Sequence, residues 1–189
     1  MKIYSNYIVV FLLFMMFGYS INSNKVNKHS ECTYKTYNNT NYLIGDKLLI
    51  PKIKIEFTRF NTYSKSINDS LKPLVELLKK HSNIVFEIRC HTDYRDTDIH
   101  NQALTQRLAK NFKYYFIAQG IDSTRVKAKG MGESEPFIID MCFHIKYPQF
   151  EIGDTLNKSL IMSLNDRKER ETAHALNRRN EIVIMGIQE

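Results

Sequence analysis

The chain has 189 residues, a formal net charge of +7 at pH 7 and three cysteines. This length supports one domain of ordinary size plus some extra segments. No CxxC or paired cysteine–histidine spacing points to a zinc site. No nucleophile–base pair, closely spaced pair of acids or phosphate-binding loop points to an enzyme. The sequence therefore predicts neither a metal, nor a cofactor, nor a catalytic function.

The first twenty residues have the pattern of a secretory signal peptide. Lys2 gives a short positive start, an apolar run follows from Ile8 to Phe17, and small residues close the segment. The apolar run is about ten residues long, which is too short for a bilayer span of ~20 residues. We therefore predict a signal peptide at residues 1–20. Export argues against nucleic acid as the partner of the positive charge.

Residues 21–46 are rich in asparagine, lysine, serine, threonine and tyrosine and contain few aliphatic residues. This composition predicts a flexible leader ahead of a domain at 47–189. An oxidising compartment permits a disulfide between Cys32 and Cys142. Cys90 lies in an apolar strand and is predicted to be a buried free thiol.

The domain is predicted to open with a strand and a helix. Apolar and charged residues alternate between Lys47 and Phe60, and Pro51 indicates that the strand starts after it. Asn68–Ser70 has the composition of a helix start, with Pro73 in the tolerated first turn.

The later elements follow from the same periodicity. The first helix ends near His81, and a strand at 83–90 and a helix at 98–119 follow. The helix at 98–119 has an apolar stripe of Leu104, Leu108, Phe112 and Phe116. After it come a strand at 125–129, a long insertion at 137–165, a helix at 166–176 that a capping box opens, and a closing strand at 181–185. The order β-α-β-α-β-(insert)-α-β predicts an α/β class, an α+β sandwich with helices packed on a mixed sheet.

Four short motifs occur in order along this framework. They are Cys90-His91-Thr92-Asp93, Asn101-Gln102-Ala103-Leu104-Thr105, Gly130-Met131-Gly132-Glu133-Ser134-Glu135-Pro136 and Asn177-Arg178-Arg179. This ordered set resembles the peptidoglycan-binding domain of the OmpA-like family, over roughly Ile53 to Ile184. The resemblance implies the OmpA-like fold. It also implies a non-catalytic domain that binds the diaminopimelate of peptidoglycan stem peptides without a covalent bond.

The resemblance further implies roles for individual residues. Asp93 would take the ligand's ammonium, and Arg178 would hold a carboxylate or brace the pocket. Asn101 would give an amide contact, and Thr92 would shape the rim with the loop 94–97. Each assignment has a structural competitor, because Asp93 could be a turn residue, Arg178 an ion-pair partner and Asn101 a helix-start residue.

Histidines near Asp93 raise the question of a metal site. His91, at the end of a strand, is interpreted as structural. A metal site formed by His91, Asp93 and His100 has no other support in the sequence, and none is predicted.

Three positions depart from the family pattern. The family carries a ligand-binding arginine where this protein has Leu108, and glycines where it has Cys90 and Asp96. Arg107 is turned about 100° around the helix from Leu108 and cannot take its place. Arg95 lies in the loop beside the pocket and could reach it. Leu108 would instead extend the apolar stripe.

Two hypotheses follow from these observations. The first is a peptidoglycan-binding module of the bacterial cell envelope, located in the periplasm or associated with the wall or outer membrane. An outer-membrane or periplasmic protein is a further candidate partner. The second hypothesis is a degenerate OmpA-like domain that acts in protein–protein contact and has little or no affinity for peptidoglycan. It is motivated by Leu108 and by the long insertion, which offers added recognition surface.

Overall fold

A computed structural model of the protein describes residues 31–39, 41–53 and 64–188. The strands and helices in these ranges are β1 Lys47–Ile50, α1 Lys65–Lys80, β2 Ile84–His91, α2 Asp98–Ala118, β3 Val126–Gly132, α3 Met141–Lys146, α4 Lys158–Ser163, α5 Arg167–Asn177 and β4 Asn180–Ile187. The strands form one mixed sheet in the order β1-β4-β2-β3, with β2 and β3 parallel and the other pairs antiparallel. The protein therefore has the predicted α+β architecture. Among the helices of these ranges, none is long and apolar enough to cross a membrane.

The first strand lies before Pro51, whereas the sequence pattern predicted it after this residue. β1 pairs antiparallel with β4, and its alternate residues Leu48 and Ile50 are buried in the main core. Proline has no N–H to donate to a strand ladder, so the pairing stops at Ile50. Residues 54–63, which carry most of the alternation behind the prediction, lie outside the described residues.

Helix α1 begins earlier than predicted. The Ser64 side chain accepts a hydrogen bond of 3.3 Å from the Ile67 N–H and caps the helix. Pro73 consequently lies inside the helix, at an exposed position where water can hydrate the carbonyl that loses its donor. The helix ends at Lys80, as predicted, and its leucine-rich face is buried in the main core.

The face of α2 that meets the sheet differs from the predicted stripe. Its buried residues are Asn101, Thr105, Ala109, Phe112, Tyr115 and Phe116. Leu104 and Leu108 are only partly buried, and Leu108 packs at the margin of the main core. Small and polar residues occupy the centre of the face because β3 comes very close to α2 at Gly130.

The insertion at 137–165 folds over one end of the domain around a second, smaller core. It contains α3 and α4, and its buried residues pack against Ala173 and Leu176 of α5. This core joins the insertion to the helix that precedes β4. Residues 137–165, which the sequence predicts to be an insertion, are therefore folded and packed against α5.

Part of the segment predicted as a flexible leader is packed against the domain. A disulfide joins Cys32 to Cys142 in α3, with 5.3 Å between the Cα atoms. The Lys35 N–H donates a hydrogen bond of 2.8 Å to the Lys47 carbonyl, beside β1. Cys90 is a buried free thiol, as predicted. The predicted signal peptide at 1–20 lies outside the described residues.

Candidate functional site

Asp93 lies in the turn after β2, where the C-terminal end of α5 meets it. Its Oδ1 accepts hydrogen bonds of 3.1 Å from both the backbone N–H and the Nε of Arg95, and its Oδ2 accepts one of 2.9 Å from Arg95 Nη2. Arg178, the C-cap residue of α5, donates from Nη1 to the same Oδ2. The structure thus brings three predicted site residues together, with Arg95 and Arg178 both bonded to the carboxylate of Asp93.

Exposure differs sharply between this carboxylate and its two partners. The Asp93 side chain is 7% exposed, whereas those of Arg95 and Arg178 are 45% and 44% exposed. Burial alone would raise the pKa of the Asp93 carboxyl, but the hydrogen bonds from Arg95 and Arg178 outweigh burial and hold this pKa below its usual value. Asp93 is therefore an anion at neutral pH, enclosed by two cations that reach solvent.

Arg95 also bridges to α5. Its Nη1 lies 3.2 Å from each carboxylate oxygen of Glu171, so its guanidinium is held at two edges by two acids. Glu171, His174 and Arg178 are spaced i, i+3, i+7 on α5, which places them on one face of the helix. Sequence reasoning missed Glu171 and His174, although this spacing back from Arg178 could have identified both.

His174 packs behind the Asp93 carboxylate. It is 5% exposed, and its Nδ1 lies 3.8 Å from Asp93 Oδ2 without making a hydrogen bond. Its ring lies 5.1 Å from that of Tyr94, measured between centroids. Burial and the nearby Arg95 guanidinium lower the pKa of His174, so the imidazole is neutral at neutral pH.

Asn101 supports the turn that carries Asp93. Its Nδ2 donates hydrogen bonds of 3.0 Å to the Asp93 carbonyl and 2.7 Å to Glu133 Oε2, and the residue is buried. A ligand contact would compete with these bonds, so this geometry matches the structural reading of Asn101.

Thr92 holds the same turn from the other side. Its N–H donates a hydrogen bond of 2.8 Å to the Gly132 carbonyl. Its hydroxyl is buried and has no hydrogen-bond partner within the described ranges. That hydroxyl is a free donor and acceptor next to Asp93 in the sequence.

Lysines add positive charge around the two arginines. Lys52 Nζ donates a hydrogen bond of 2.6 Å to the Ala175 carbonyl near the end of α5. Burial and the neighbouring charges of Arg178 and Lys146 lower the pKa of Lys52. Lys158 Nζ lies 5.6 Å from the centre of the Tyr94 ring. These lysines add positive charge to a rim that also carries the exposed acids Asp96 and Glu171.

Leu108 is not part of the charged cluster at Asp93. It packs against the main core, and Arg107 next to it is exposed. Helix α2 thus places an apolar side chain at the position where the family resemblance implies a ligand-binding arginine. The cations at Asp93 come from the loop after β2 and from α5 instead.

A second polar cluster, which sequence reasoning missed, surrounds Glu181 in β4. The Glu181 side chain is fully buried. Its Oε2 accepts a hydrogen bond of 2.6 Å from the Tyr34 hydroxyl and lies 3.4 Å from Arg179 Nε, and its Oε1 lies 3.3 Å from Lys47 Nζ. Burial would raise the pKa of Glu181, but His91, Arg179 and Lys47 hold it far below its usual value. A single acid in an otherwise apolar closing strand was the available signal for such a cluster.

His91 belongs to this second cluster. Its Nε2 lies 3.3 Å from Glu181 Oε1, and burial lowers its pKa. His91, Glu135 and Glu181 could each direct one ligand atom to a common point, all within 4.8 Å of one another. Glu181 is already neutralised by cations, so this chemistry does not favour a metal ion. His100 lies instead beside Asp96, at 3.5 Å.

Comparison with known proteins relates one segment of the chain to a family. Residues 60–141 match the model of the OmpA family. Over this segment the chain is similar to the OmpA family. Asp93, Arg95 and Asn101 lie inside the matched residues, whereas Glu171 and Arg178 follow them in the sequence.

The relatives are similar over part of their length. Outer membrane protein A of Escherichia fergusonii is 38% identical over 56 residues, which are 30% of this chain and 23% of that protein. Outer membrane protein A of Salmonella typhi is 37% identical over 65 residues, 34% of this chain and 18% of that protein. The chain spans less than a quarter of either protein.

Solved structures are similar to a larger share of this chain than these relatives, at a lower sequence identity. The peptidoglycan-associated lipoprotein from Burkholderia pseudomallei is 20% identical, with a TM-score of 0.43 over 65% of this chain and 80% of that chain. The cell wall anchor of the T6SS from Pseudomonas aeruginosa is 16% identical, with a TM-score of 0.46 over 76% of this chain and 87% of that chain.

Proposed function

We propose that this protein is a non-catalytic peptidoglycan-binding module of the bacterial cell envelope, and that it recognises the diaminopimelate of stem peptides at the Asp93 site. The observation that carries the proposal is the cluster of Asp93, Arg95 and Arg178 within and beside the segment that is similar to the OmpA family. Binding is non-covalent, because ionic and hydrogen-bonding groups form the cluster.

The chemistry of the ligand fits a site of mixed charge. The side-chain end of diaminopimelate carries an ammonium and a carboxylate on one carbon. A protein recognises such a group with a few convergent charged groups around a small concave surface. Asp93 supplies an anion, and Arg95 and Arg178 supply cations.

The same proposal places the protein outside the cytoplasm. The N-terminal pattern is that of an exported protein, and the two relatives described above are outer membrane proteins by name. Peptidoglycan carries many carboxylates, which suits a net charge that is +7 for the full chain and 7 − 1 = +6 once Lys2 leaves with the predicted signal peptide. We propose that the protein lies in the periplasm, associated with the wall or the outer membrane.

Sedimentation with purified sacculi tests this function. We expect the protein to sediment with diaminopimelate-containing sacculi at low salt, and Asp93→Ala to lower the bound fraction about tenfold or more, since it removes a charge-assisted contact. Asp69→Ala, which removes an exposed acid from α1, is the matched control and should bind normally. Circular dichroism checks that both variants are folded. A wild-type protein that stays in the supernatant would contradict the proposal.

One observation favours a second candidate function. The helices of the insertion present two large apolar side chains to solvent, Ile145 at 72% and Met162 at 67% exposure. Such a surface suits contact with an outer-membrane or periplasmic protein. Failure to bind sacculi, together with cross-linking to an envelope protein through the insertion, would favour this protein–protein role over the wall-binding one.

A further inference from the structure

We infer that His174 is a further functional residue of the Asp93 site: when its imidazole takes up a proton in acidic surroundings, Asp93 loses affinity for the ammonium group of the ligand. The inference rests on the proposed function and adds a pH dependence to it. His174 lies outside the segment that matches the OmpA family and outside the four short motifs of the sequence. Only the folding of α5 against the turn after β2 brings it to the site.

The position of the His174 ring relative to Asp93 is the first observation. Its Nδ1 lies 3.8 Å from Asp93 Oδ2, the residue is 5% exposed, and this nitrogen has no hydrogen-bond partner among the described residues. A buried polar atom without a partner is uncommon and costs stability. An approach of roughly 0.6 Å would bring the two atoms within hydrogen-bonding distance. Nδ1 therefore lies next to the carboxylate without being bonded to it.

The two protonation states of the imidazole differ in what Nδ1 presents to Asp93. A neutral imidazole has one donor nitrogen and one acceptor nitrogen, whereas an imidazolium donates from both. The protonated ring therefore directs an N–H group and a positive charge at Oδ2, which favours a charge-assisted hydrogen bond. Protonation thus gives the buried nitrogen the partner that it lacks at neutral pH.

The nearest charges around His174 balance only while its ring is neutral. Two acids and two cations act on the ring: Asp93 in the turn after β2, Arg95 in the loop that follows, and Glu171 and Arg178 on α5 itself. Their formal charges cancel. A proton on His174 leaves this group of residues positive, and the added charge lies beside the oxygen of Asp93 that a ligand ammonium would approach.

The aromatic neighbour of His174 brings one more cation near it. The ring of Tyr94 lies 5.1 Å from that of His174, measured between centroids, and Lys158 Nζ of α4 lies 5.6 Å from the centre of the Tyr94 ring. This more distant charge also opposes protonation of the imidazole. The surroundings thus keep His174 neutral until the solution becomes acidic.

The direction of the pH dependence follows from these charges. Burial, Arg95 and Arg178 lower the pKa of His174 more than Asp93 and Glu171 raise it, so the ring protonates below its usual pKa of about 6.5. Asp93 stays ionised in this range, because its own pKa is held below its usual value. A ligand ammonium at Asp93 adds a cation and lowers the pKa of His174 further, and by linkage the proton lowers the affinity for the ligand. Binding should therefore weaken as the pH falls below about 6.5.

Calorimetric titration with a diaminopimelate-containing stem tripeptide tests the inference. We expect the dissociation constant of the wild type to rise about tenfold between about pH 7.5 and about pH 5. His174→Gln keeps a polar side chain that takes up no proton, so it should bind like the wild type at the higher pH and change by about twofold or less. His81→Gln is the matched control and should keep the wild-type dependence, since it alters the C-cap residue of α1, which packs on Tyr42. Circular dichroism at both pH values checks that the variants are folded.

Nuclear magnetic resonance of the His174 ring gives a second readout that needs no variant. We expect saturating tripeptide to lower the pH at which the wild-type ring titrates by about one pH unit, which corresponds to the tenfold change in affinity. An unchanged titration of the ring would overturn the inference, and this measurement decides the question even if His174→Gln is unfolded.

Two calorimetric results would contradict the inference and leave the proposed function intact. One is wild-type binding with the same dissociation constant at both pH values. The other is a pH dependence that His174→Gln retains, since a different group would then be responsible. Absence of binding at both pH values, together with sacculi that do not retain the protein, would overturn the proposed function and the inference with it.

Discussion

At the scale of single residues, the buried carboxylates of Asp93 and Glu181 serve different purposes. Asp93 is surrounded by cations that reach solvent, so a ligand can approach them. Glu181 is fully buried, and its neighbours Tyr34, Lys47 and Arg179 come from the N-terminal segment, from β1 and from the position just before β4. The Glu181 cluster therefore joins parts of the protein that are distant in sequence, and its contribution is to stability.

We predict that Glu181→Ala lowers the free energy of unfolding by about 3–5 kcal/mol, because it leaves buried cations without their counterion. Glu76→Ala is the matched control, since it removes an exposed acid paired with Lys72 on α1 and should cost about 0.5 kcal/mol or less. Urea denaturation of both variants gives the two values. Similar values for the two variants would show that the Glu181 cluster is not a stabilising feature.

At the scale of elements, the contact between α2 and β3 determines how the site is assembled. A Cβ atom added at Gly130 would lie 2.7 Å from Gln106 Cα and 2.8 Å from the Thr105 carbonyl carbon, inside the backbone of α2. Gln106 and Thr105 also bond to the strand, through the N–H groups of Gly130 and Gly132 at 2.8 and 3.0 Å. This close approach fixes the start of α2, and with it Asn101 and the turn of Asp93.

Gly130→Ala is therefore expected to destabilise the protein by about 2–3 kcal/mol or more, because helix and strand must move apart. Gly186→Ala is the control, since its Cβ would meet Val85 Cβ at an ordinary 3.9 Å and should have a small effect. Thermal unfolding followed by circular dichroism compares them. A Gly130→Ala protein with an unchanged midpoint would mean that α2 can shift away from β3 at little cost.

Most of the elements could be predicted from periodicity and helix capping, and the failures have physical causes. The position of β1 was wrong because the alternating apolar pattern after Pro51 is more typical of a strand than the sequence of Lys47–Ile50. The segment Lys47–Ile50 is a strand because it pairs with β4, which is remote in sequence. The buried face of α2 was misjudged because the closeness of Gly130 favours small residues there over leucine. The resemblance of short local motifs to those of a family named Asp93, Arg95 and Arg178 as neighbours, and the structure brings them together. Their role in binding a ligand stays a prediction. The partners of Glu181 could not be predicted, because they are brought together only by the sheet and the disulfide.

At the scale of the whole molecule, the Cys32–Cys142 disulfide connects the N-terminal segment to the insertion across a sequence separation of 110 residues. It lies next to Tyr34, whose ring packs near Phe137 and Phe143 of the insertion. The disulfide therefore holds in place the segment that supplies the Tyr34 hydroxyl to Glu181.

We predict that the double change Cys32→Ser and Cys142→Ser lowers the free energy of unfolding by about 2–4 kcal/mol. A chain without the disulfide gains more entropy on unfolding than a cross-linked chain does. Adding a reductant to the wild type should reproduce the loss, and adding it to the double variant should cause no further change. Equal stability of the oxidised wild type and the double variant would contradict this expectation. Sacculus binding should persist in the folded double variant, since the Asp93 site lies on other elements.

The burial of Cys90 has a consequence for how the correct disulfide is reached. Cys90 lies between the two bonded cysteines in the sequence, so a bond from Cys90 to either of them would close a loop roughly half as long. Shorter loops are favoured in an unstructured polypeptide, by about 0.6 kcal/mol for each halving. Chance encounter would thus select the wrong partners. Once β2 is covered by the helices, the Cys90 thiol is buried and its pKa is raised, so it is neither accessible nor ionised for exchange. In the folded protein the hydrophobic core therefore keeps the third thiol from exchanging with the long-range disulfide.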